Sequence, residues 1–279
     1  MIVVVDHGAS TSRWWFYRND DQIEGAFETR GFNARYASIE NRIKTFKEAK
    51  EKLPDQEGHI YFYSTGLADA DLKDDVKLEL QSFFPNMNVE VHTDLTGTGR
   101  GLLGDRNGIV AIIGTGSNAG VYENHQISFQ PVSLGYILGD EGSGAHIGKM
   151  FLKDFLEGRM PEALALEFGK LLPADKNEAV SLIQNQLTGE KIASFGAFAN
   201  NYKDHAYIQE ILEKSFTSFF EHIVFRLPAH HFSSLVASGS IAWLHSRVFE
   251  KAAFSYGYSV EKIAKDPMEG LIEYHKSKK

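Results

Sequence analysis

Two short turns carry the residues most suited to chemistry. The first lies in Ile2-Val3-Val4-Val5-Asp6-His7-Gly8-Ala9-Ser10-Thr11-Ser12 and is followed by Trp14-Trp15-Phe16-Tyr17. The second lies in Ile109-Val110-Ala111-Ile112-Ile113-Gly114-Thr115-Gly116-Ser117-Asn118 and is followed by Ala119-Gly120-Val121-Tyr122. Each reads as a buried apolar strand, a tight turn rich in Gly and Ser/Thr, and a return strand. A turn of that composition can direct several backbone N–H groups and hydroxyls into one small space, as a polyphosphate requires. Either turn alone could be an ordinary hairpin. Together they suggest a duplicated scaffold holding one nucleotide between its halves.

The elements that must position these turns follow from periodicity. Residues 2–6 and 12–18 form a hairpin, and 23–29 reads as a third antiparallel strand. Residues 39–53 have helical periodicity and end before Pro54. A strand at 59–64, an amphipathic helix at 71–84 and a short strand at 89–92 follow. The pattern then restarts with a strand at 109–113, the second turn, and strands at 119–122 and 126–130. Beyond residue 142 the chain reads as mostly helical, with long candidates near 144–157, 175–187 and 207–226. A last strand at 234–237 enters the turn Ser238-Gly239-Ser240, which opens a helix at 241–250, and 267–275 reads as a short terminal helix. The turn cluster Gly104-Asp105-Arg106-Asn107-Gly108 and the repeat set a boundary, giving an N-terminal domain of 1–107 and a C-terminal domain of 108–265.

Composition narrows the function classes. With 279 residues, 43% of them hydrophobic, the chain can bury the core of one large or two ordinary domains. Its net charge of -8 supplies no basic stripe for nucleic acid, and leaves attraction of an anionic nucleotide to local donors or a divalent cation. The absence of cysteine removes disulfides, thiolate catalysis, Cys-based zinc sites and iron–sulfur clusters. No apolar run approaches the ~20 residues of a membrane span. The first residues have none of the basic, long-apolar and small-residue order of a secretory signal. The expected compartment is therefore the cytoplasm, with no membrane partner.

The segments 6–12 and 114–118, the block Gly135-Tyr136-Ile137-Leu138-Gly139-Asp140-Glu141-Gly142-Ser143, the turn Ala237-Ser238-Gly239-Ser240 and the run Asp266-Pro267-Met268-Glu269-Gly270-Leu271-Ile272 occur in one order across nearly the whole chain. In these segments the sequence resembles the superfamily of sugar kinases, heat-shock ATPases and actin. Within it, the chain is similar to the N-acetylglucosamine kinase branch that includes the BadF/BadG ATPases. The resemblance implies an α/β protein with a two-domain ribonuclease H-like duplication of actin/hexokinase type, a nucleotide cleft between the domains, and a C-terminal helix at about 266–279 that rejoins the first domain. It implies ATP with Mg2+ and a small-molecule sugar as partners, transfer to the 6-position of N-acetylglucosamine, and leaves a homodimer open, although no stretch identifies an interface.

Site residues follow from the same resemblance. In the first turn Gly8 lets the backbone approach phosphates, Ser10, Thr11 and Ser12 bring hydroxyls, and Asp6 at the strand end would hold magnesium through water. In the second turn Gly114, Thr115, Gly116, Ser117 and Asn118 would contact the far phosphates, with Thr115 nearest. Gly239 and Ser240 correspond to the adenosine element, and Ala193 to another nucleotide-facing position, although a small residue packed inside a helix explains Ala193 as well. Asp94, just after a short strand, matches the catalytic aspartate; a helix N-cap is its plain alternative. Asn33, Ser133, Leu134, Gly135 and Asp140 would grip the sugar. Asn33 could equally be a turn residue, and Asp140 could cap a helix opening at Gly142.

The chain departs from the family pattern at several of these positions. Thr11 stands where many relatives carry Lys or Arg, His7 where a small residue is common, and Arg13 where an acidic one is common. Strand alternation turns Arg13 away from Ser12. Ser133 and Leu134 replace a Gly-Trp pair, which bears on the N-acetyl pocket. Two further classes share the fold. An activator ATPase coupled to a cysteine-held cluster is excluded by the absence of cysteine. A sugar- or nucleotide-binding sensor stays open, although a repressor would need a helix-turn-helix ahead of the first strand, where this sequence begins.

Overall fold

The computed structural model describes residues 1–18, 23–173, 175, 178, 180–182, 187–228 and 231–278. The expected helix at 175–187 lies largely outside the described residues, as does His230. Among the described residues, ten strands form two sheets. The first runs β3-β2-β1-β4-β5, from β1 (Ile2–His7), β2 (Thr11–Tyr17), β3 (Ile23–Arg30), β4 (Gly58–Ser64) and β5 (Met87–Thr93). The second runs β10-β9-β6-β7-β8, from β6 (Gly108–Ile113), β7 (Ser117–Glu123), β8 (Gln126–Phe129), β9 (Ser234–Ser238) and β10 (Ser259–Ala264). Read from the other edge, the second order repeats the first. Three consecutive strands lie side by side in each, and two parallel strands are then added beyond the first of the three. This is the α/β duplication expected from the repeat.

The chain divides into two compact units. One comprises 1–107, 122–127 and 266–279, the other 108–121 and 128–265. In the first unit, β1 is buried on both faces. Val3 and Val5 face a core with Trp14, Phe46, Phe62 and Leu80, under helices α1 (Ile39–Lys52) and α2 (Ala70–Phe83). Val4 faces the opposite way, with Tyr17, Tyr63 and the C-terminal helix Met268–Ser277. In the second unit a larger core gathers β6, helices Gly144–Leu156 and Ala206–His222, and Phe249 of helix Ser246–Ser255. No helix among the described residues is long and apolar enough to cross a membrane.

Several elements differ from the sequence expectation. Helix α3 (Asp94–Leu102) was not expected, because DLTGTGRGL holds three glycines that disfavour an isolated helix. Packing reverses that preference. Gly97 lies against the ring of Tyr63, Gly99 against that of Tyr122, and the backbone of Gly101 against Gly270 of the C-terminal helix. A Cβ on Gly270 would strike the Gly101 carbonyl, so the two helices touch backbone to backbone. Strand β10 was also missed; it is an exposed edge strand with little apolar alternation. The expected helix at 241–250 is two helices, Ser240–Leu244 and Ser246–Ser255, broken at the buried His245.

Gly270→Ala should therefore force the two helices apart and destabilise the protein by ~1–3 kcal/mol, the cost of overpacking. Urea denaturation reads this as a lower midpoint, and an unchanged midpoint would mean that the contact is loose.

Candidate active site

Strand alternation sorts the first turn. Asp6 pairs with Arg13 and His7 with Ser12 across β1 and β2, so each pair shares a face. Asp6 and Arg13 lie on the face of the C-terminal helix; His7 and Ser12 lie on the core face. His7 is fully buried, stacks edge-on to Phe32 at 4.1 Å, and accepts a hydrogen bond at Nε2 from the Phe32 N–H at 3.2 Å. Burial pushes its pKa down to about 3, so the ring is neutral. The backbone of Gly31 donates to the Ser10 carbonyl at 3.1 Å, and a side chain there would collide with Gly8, Ser10 and Thr11. His7 and Gly31 thus clamp segment 31–34 beneath the turn. Gly8, Ser10 and Thr11 stay at least partly exposed. Ser12 does not: alternation turns it inward, its hydroxyl is fully buried, and it has no hydrogen-bond partner.

The same unit gathers Asn33 and Asp94 about the end of β4. Ala34 donates its N–H to the Thr65 carbonyl at 3.3 Å, and Thr65 donates its own to the His7 carbonyl at 3.1 Å. Asn33 Oδ1 accepts from the Arg35 N–H at 3.1 Å, the turn geometry expected of an Asn, and leans on Gly66. Asp94 is not the N-cap of α3. Thr93 is, accepting from the Thr96 N–H at 3.2 Å, and Asp94 occupies the first helical position. Its carboxylate accepts from the Leu95 N–H at 2.9 Å and from the Thr65 side chain. Burial outweighs those bonds and raises its pKa. Thr65 was missed, since an isolated Thr after a strand gives no sequence signal.

Asp6 is held differently. Its side chain keeps 16% exposure, and its nearest cation is Arg13, with NH1 3.6 Å from Oδ2. Arg13 also lies 3.9 Å from Asp266 and 3.2 Å, through Nε, from Glu28. Burial, then the charge of Asp266, lifts Asp6 to about 7 against the pull of Arg13, with Asp94 adding a smaller push. Carboxylates outnumber cations here, which suits a hard cation held through its water shell. Among the described residues, no group of three or more His, Asp or Glu side chains is arranged to hold a metal ion directly.

In the second unit, the turn after β6 is tied to the helix that follows it in space. The carbonyls of Gly114 and Thr115 accept from the N–H groups of Gly144 and Ala145 at 2.9 and 3.1 Å, and Gly116 accepts from Gly114 at 2.9 Å. Its carbonyls are thus engaged by the protein, while the flank of Gly114 is open. Asp140 takes a left-handed conformation (φ 58°) and lays its carboxylate against Gly116, accepting from the Ser117 N–H. Burial raises its pKa to about 6. It does not cap the next helix; Ser143 does, accepting from the His146 N–H at 3.1 Å. The Lys149 ammonium donates to the carbonyls of Tyr136 at 2.7 Å and Gly139 at 3.4 Å, fixing the short helix Gly135–Leu138.

A cavity of about 500 Å3 in this unit is lined by Ser117, Asn118, Ser133, Leu134, Asp140 and Glu141, with Glu221, His222 and Arg226 from the end of the 206–222 helix and just beyond. It brings residues expected at the phosphates together with residues expected at the sugar. Asn118 turns its Oδ1 back to the Ala119 N–H at 2.9 Å. Glu221, His222 and Arg226 were missed because nothing in a long amphipathic helix marks its last turn as a pocket wall. Gly239 has φ 114° and presses on the Ile113 carbonyl, and Ser240 opens its helix, so the turn 238–240 lies beside the end of β6. Ala193 packs against Gly144, at the base of the second turn.

The sequence matches no protein-family model and no curated protein. Solved structures do match. A candidate N-acetylglucosamine kinase from Porphyromonas gingivalis is 28% identical with a TM-score of 0.87, with 99% of each chain covered. A second candidate N-acetylglucosamine kinase, from Chromobacterium violaceum, is 15% identical with a TM-score of 0.74 over 98% of each chain. A ROK family glucokinase from Streptomyces griseus, solved with glucose and AMPPNP, is 13% identical with a TM-score of 0.61, over 98% of this chain and 97% of that one. The fold is that of the sugar kinase, heat-shock ATPase and actin superfamily.

The raised pKa of Asp6 has a consequence for stability. Between about pH 4 and 7 the folded state keeps a proton on Asp6 that the unfolded chain has lost, so its contribution falls as pH rises. Asp6→Asn should match the wild type in thermal midpoint near pH 4 and exceed it at pH 8, where the difference in unfolding free energy is on the order of a few kcal/mol. Equal midpoints across the range would mean that Asp6 titrates normally.

Proposed function

We propose that this chain is an ATP-dependent kinase that phosphorylates an amino sugar, with N-acetylglucosamine and its 6-hydroxyl as the preferred acceptor. The observation that carries the reading is Asp94. It is a half-buried carboxylate with a raised pKa, fixed at the first turn of a helix by Thr65 and its own backbone, in a chain that matches a candidate N-acetylglucosamine kinase over 99% of its length. A base for a sugar hydroxyl needs that combination of fixed position and raised basicity.

The transfer asks little covalent chemistry of the protein. Asp94 takes the proton as the acceptor oxygen attacks the γ-phosphorus. The bond from that phosphorus to the β,γ-bridging oxygen breaks, and ADP leaves. Gly8, Ser10 and Thr11 of the first unit, and Gly114, Thr115 and Gly116 of the second, would cradle phosphates. Gly239, Ser240 and Ala193 would serve the adenosine side. Asp6 would hold Mg2+ through water, and the cation would supply charge neutralisation on the phosphates. Asn33 and Asp140, with Ser133, Leu134 and Gly135, would bind the sugar; the cavity beside Asp140, which Ser133 and Leu134 also line, supports that assignment.

ADP release measured with magnesium-ATP and a panel of N-acetylglucosamine, glucosamine, N-acetylmuramic acid and glucose tests this directly. Strong stimulation by one sugar is expected. Hydrolysis independent of sugar, or none with nucleotide bound, would favour an ATPase or a sensor on the same fold. Asp94→Asn should lower turnover by ~10²–10⁴-fold and leave nucleotide affinity nearly unchanged, and a loss below tenfold would remove the base from Asp94.

A further inference from the structure

Arg13 stands between two sets of carboxylates. The register places Asp6, Arg13 and Glu28 opposite one another on three adjacent strands, so their side chains share one face of the sheet. On one side the guanidinium NH1 lies 3.6 Å from Asp6 and 3.9 Å from Asp266. These are ion-pair distances, longer than hydrogen bonds. On the other side Nε lies 3.2 Å from Glu28, whose side chain is 63% exposed. The grip on the two buried-side carboxylates is loose, and the grip on the outer one is close. A second partner is therefore already engaged if the first is withdrawn.

We propose that Arg13 is a built-in counter-ion of Asp6 that a divalent cation must displace, and that Glu28 is the carboxylate which retains Arg13 when that happens. The proposal rests on the reading of Asp6 as a magnesium-holding residue. The physical reason is charge balance. Asp6 and Asp266 share one guanidinium, and two unlike cations cannot both neutralise Asp6 at close range. A guanidinium that keeps Glu28 gives up only its longer contacts, so its displacement costs less than moving an Arg with one partner. Arg13 is then a positioning residue: it sets the cation affinity of Asp6 and touches neither substrate nor phosphate.

The test measures how much magnesium strengthens ADP binding, as the ratio of dissociation constants without and with MgCl2 by titration calorimetry. Arg13→Gln should raise that ratio by about three- to tenfold, the scale of a half-exposed ion pair. Glu28→Gln should lower it, since Arg13 then leans wholly on Asp6 and Asp266. In the doubly substituted protein the effect of Glu28→Gln should vanish, because its route runs through Arg13. A ratio unchanged by Arg13→Gln overturns the proposal. So does an equal effect of Glu28→Gln with and without Arg13, which would make both residues only a distant field. Asp6→Asn separates the two readings. If it abolishes the magnesium effect while Arg13→Gln leaves the effect alone, only the displacement fails. If it changes nothing, Asp6 holds no magnesium and the proposal falls with that reading.

Discussion

A strand buried on both faces has nowhere to hold a charge except at its ends. In β1 the interior positions Val3, Val4 and Val5 are fully buried, and polarity begins only at Asp6 and His7, where the strand runs out. Consecutive residues on a strand face opposite ways. One residue therefore belongs to the core with Phe32 and Phe62, and the next to the face that the C-terminal helix covers. His7 resolves its burial by staying neutral and accepting the Phe32 N–H, which organises the turn from below. Asp6 cannot be neutralised so simply, and Arg13, Asp266 and Asp94 are arranged around it. The cluster of charge in the first unit is a consequence of where an apolar strand stops.

The second unit meets the same constraint without a charge at the strand end. β6 ends at Ile113, and the turn that follows uses its carbonyls to satisfy the first N–H groups of the helix that starts at Gly144. The first N–H groups of that helix are thereby taken up by the protein itself, and Asp140 lies against Gly116 of the turn. Small residues are required wherever these pieces meet: Gly239 on the Ile113 carbonyl, Gly144 beside Ala193, and Gly148 on the Ile192 carbonyl. Two sheets with the same strand order thus reach different local solutions, one electrostatic and one steric.

Much of this was legible in the sequence because it rests on local rules. The two glycine turns, the three-strand starts of both sheets, and helices α1 and α2 follow from periodicity and turn chemistry. What escaped depends on packing between distant segments. Helix α3 is made of residues that disfavour helix and exists because Tyr63, Tyr122 and the C-terminal helix require a smooth surface there. Strand β10 is held by pairing with β9 rather than by its own pattern. The inward turn of Ser12 follows from alternation, but no sequence pattern shows that the core face would bury it completely. Thr65, Glu221, His222 and Arg226 reach their places only through the fold.

The departures at Thr11 and Arg13 look different once the register is known. In the sequence, Arg13 is the nearest basic residue that could supply the charge Thr11 lacks. Geometry argues against a simple transfer, because Arg13 and Thr11 share a face but the guanidinium is already committed to Asp6, Asp266 and Glu28. It balances carboxylates and is not directed at the exposed rim of the turn, where Gly8 and Ser10 lie. Under the proposed function, a turn without its own cation would rely on backbone N–H groups and on the cation that accompanies a nucleotide. That dependence makes the charge around Asp6 more consequential than in a turn that carries a Lys. An internal counter-ion shared by two carboxylate sets fits the proposed displacement: one guanidinium offsets part of the acidic charge of Asp6, Asp266 and Glu28, and a stronger cation could take its place at Asp6.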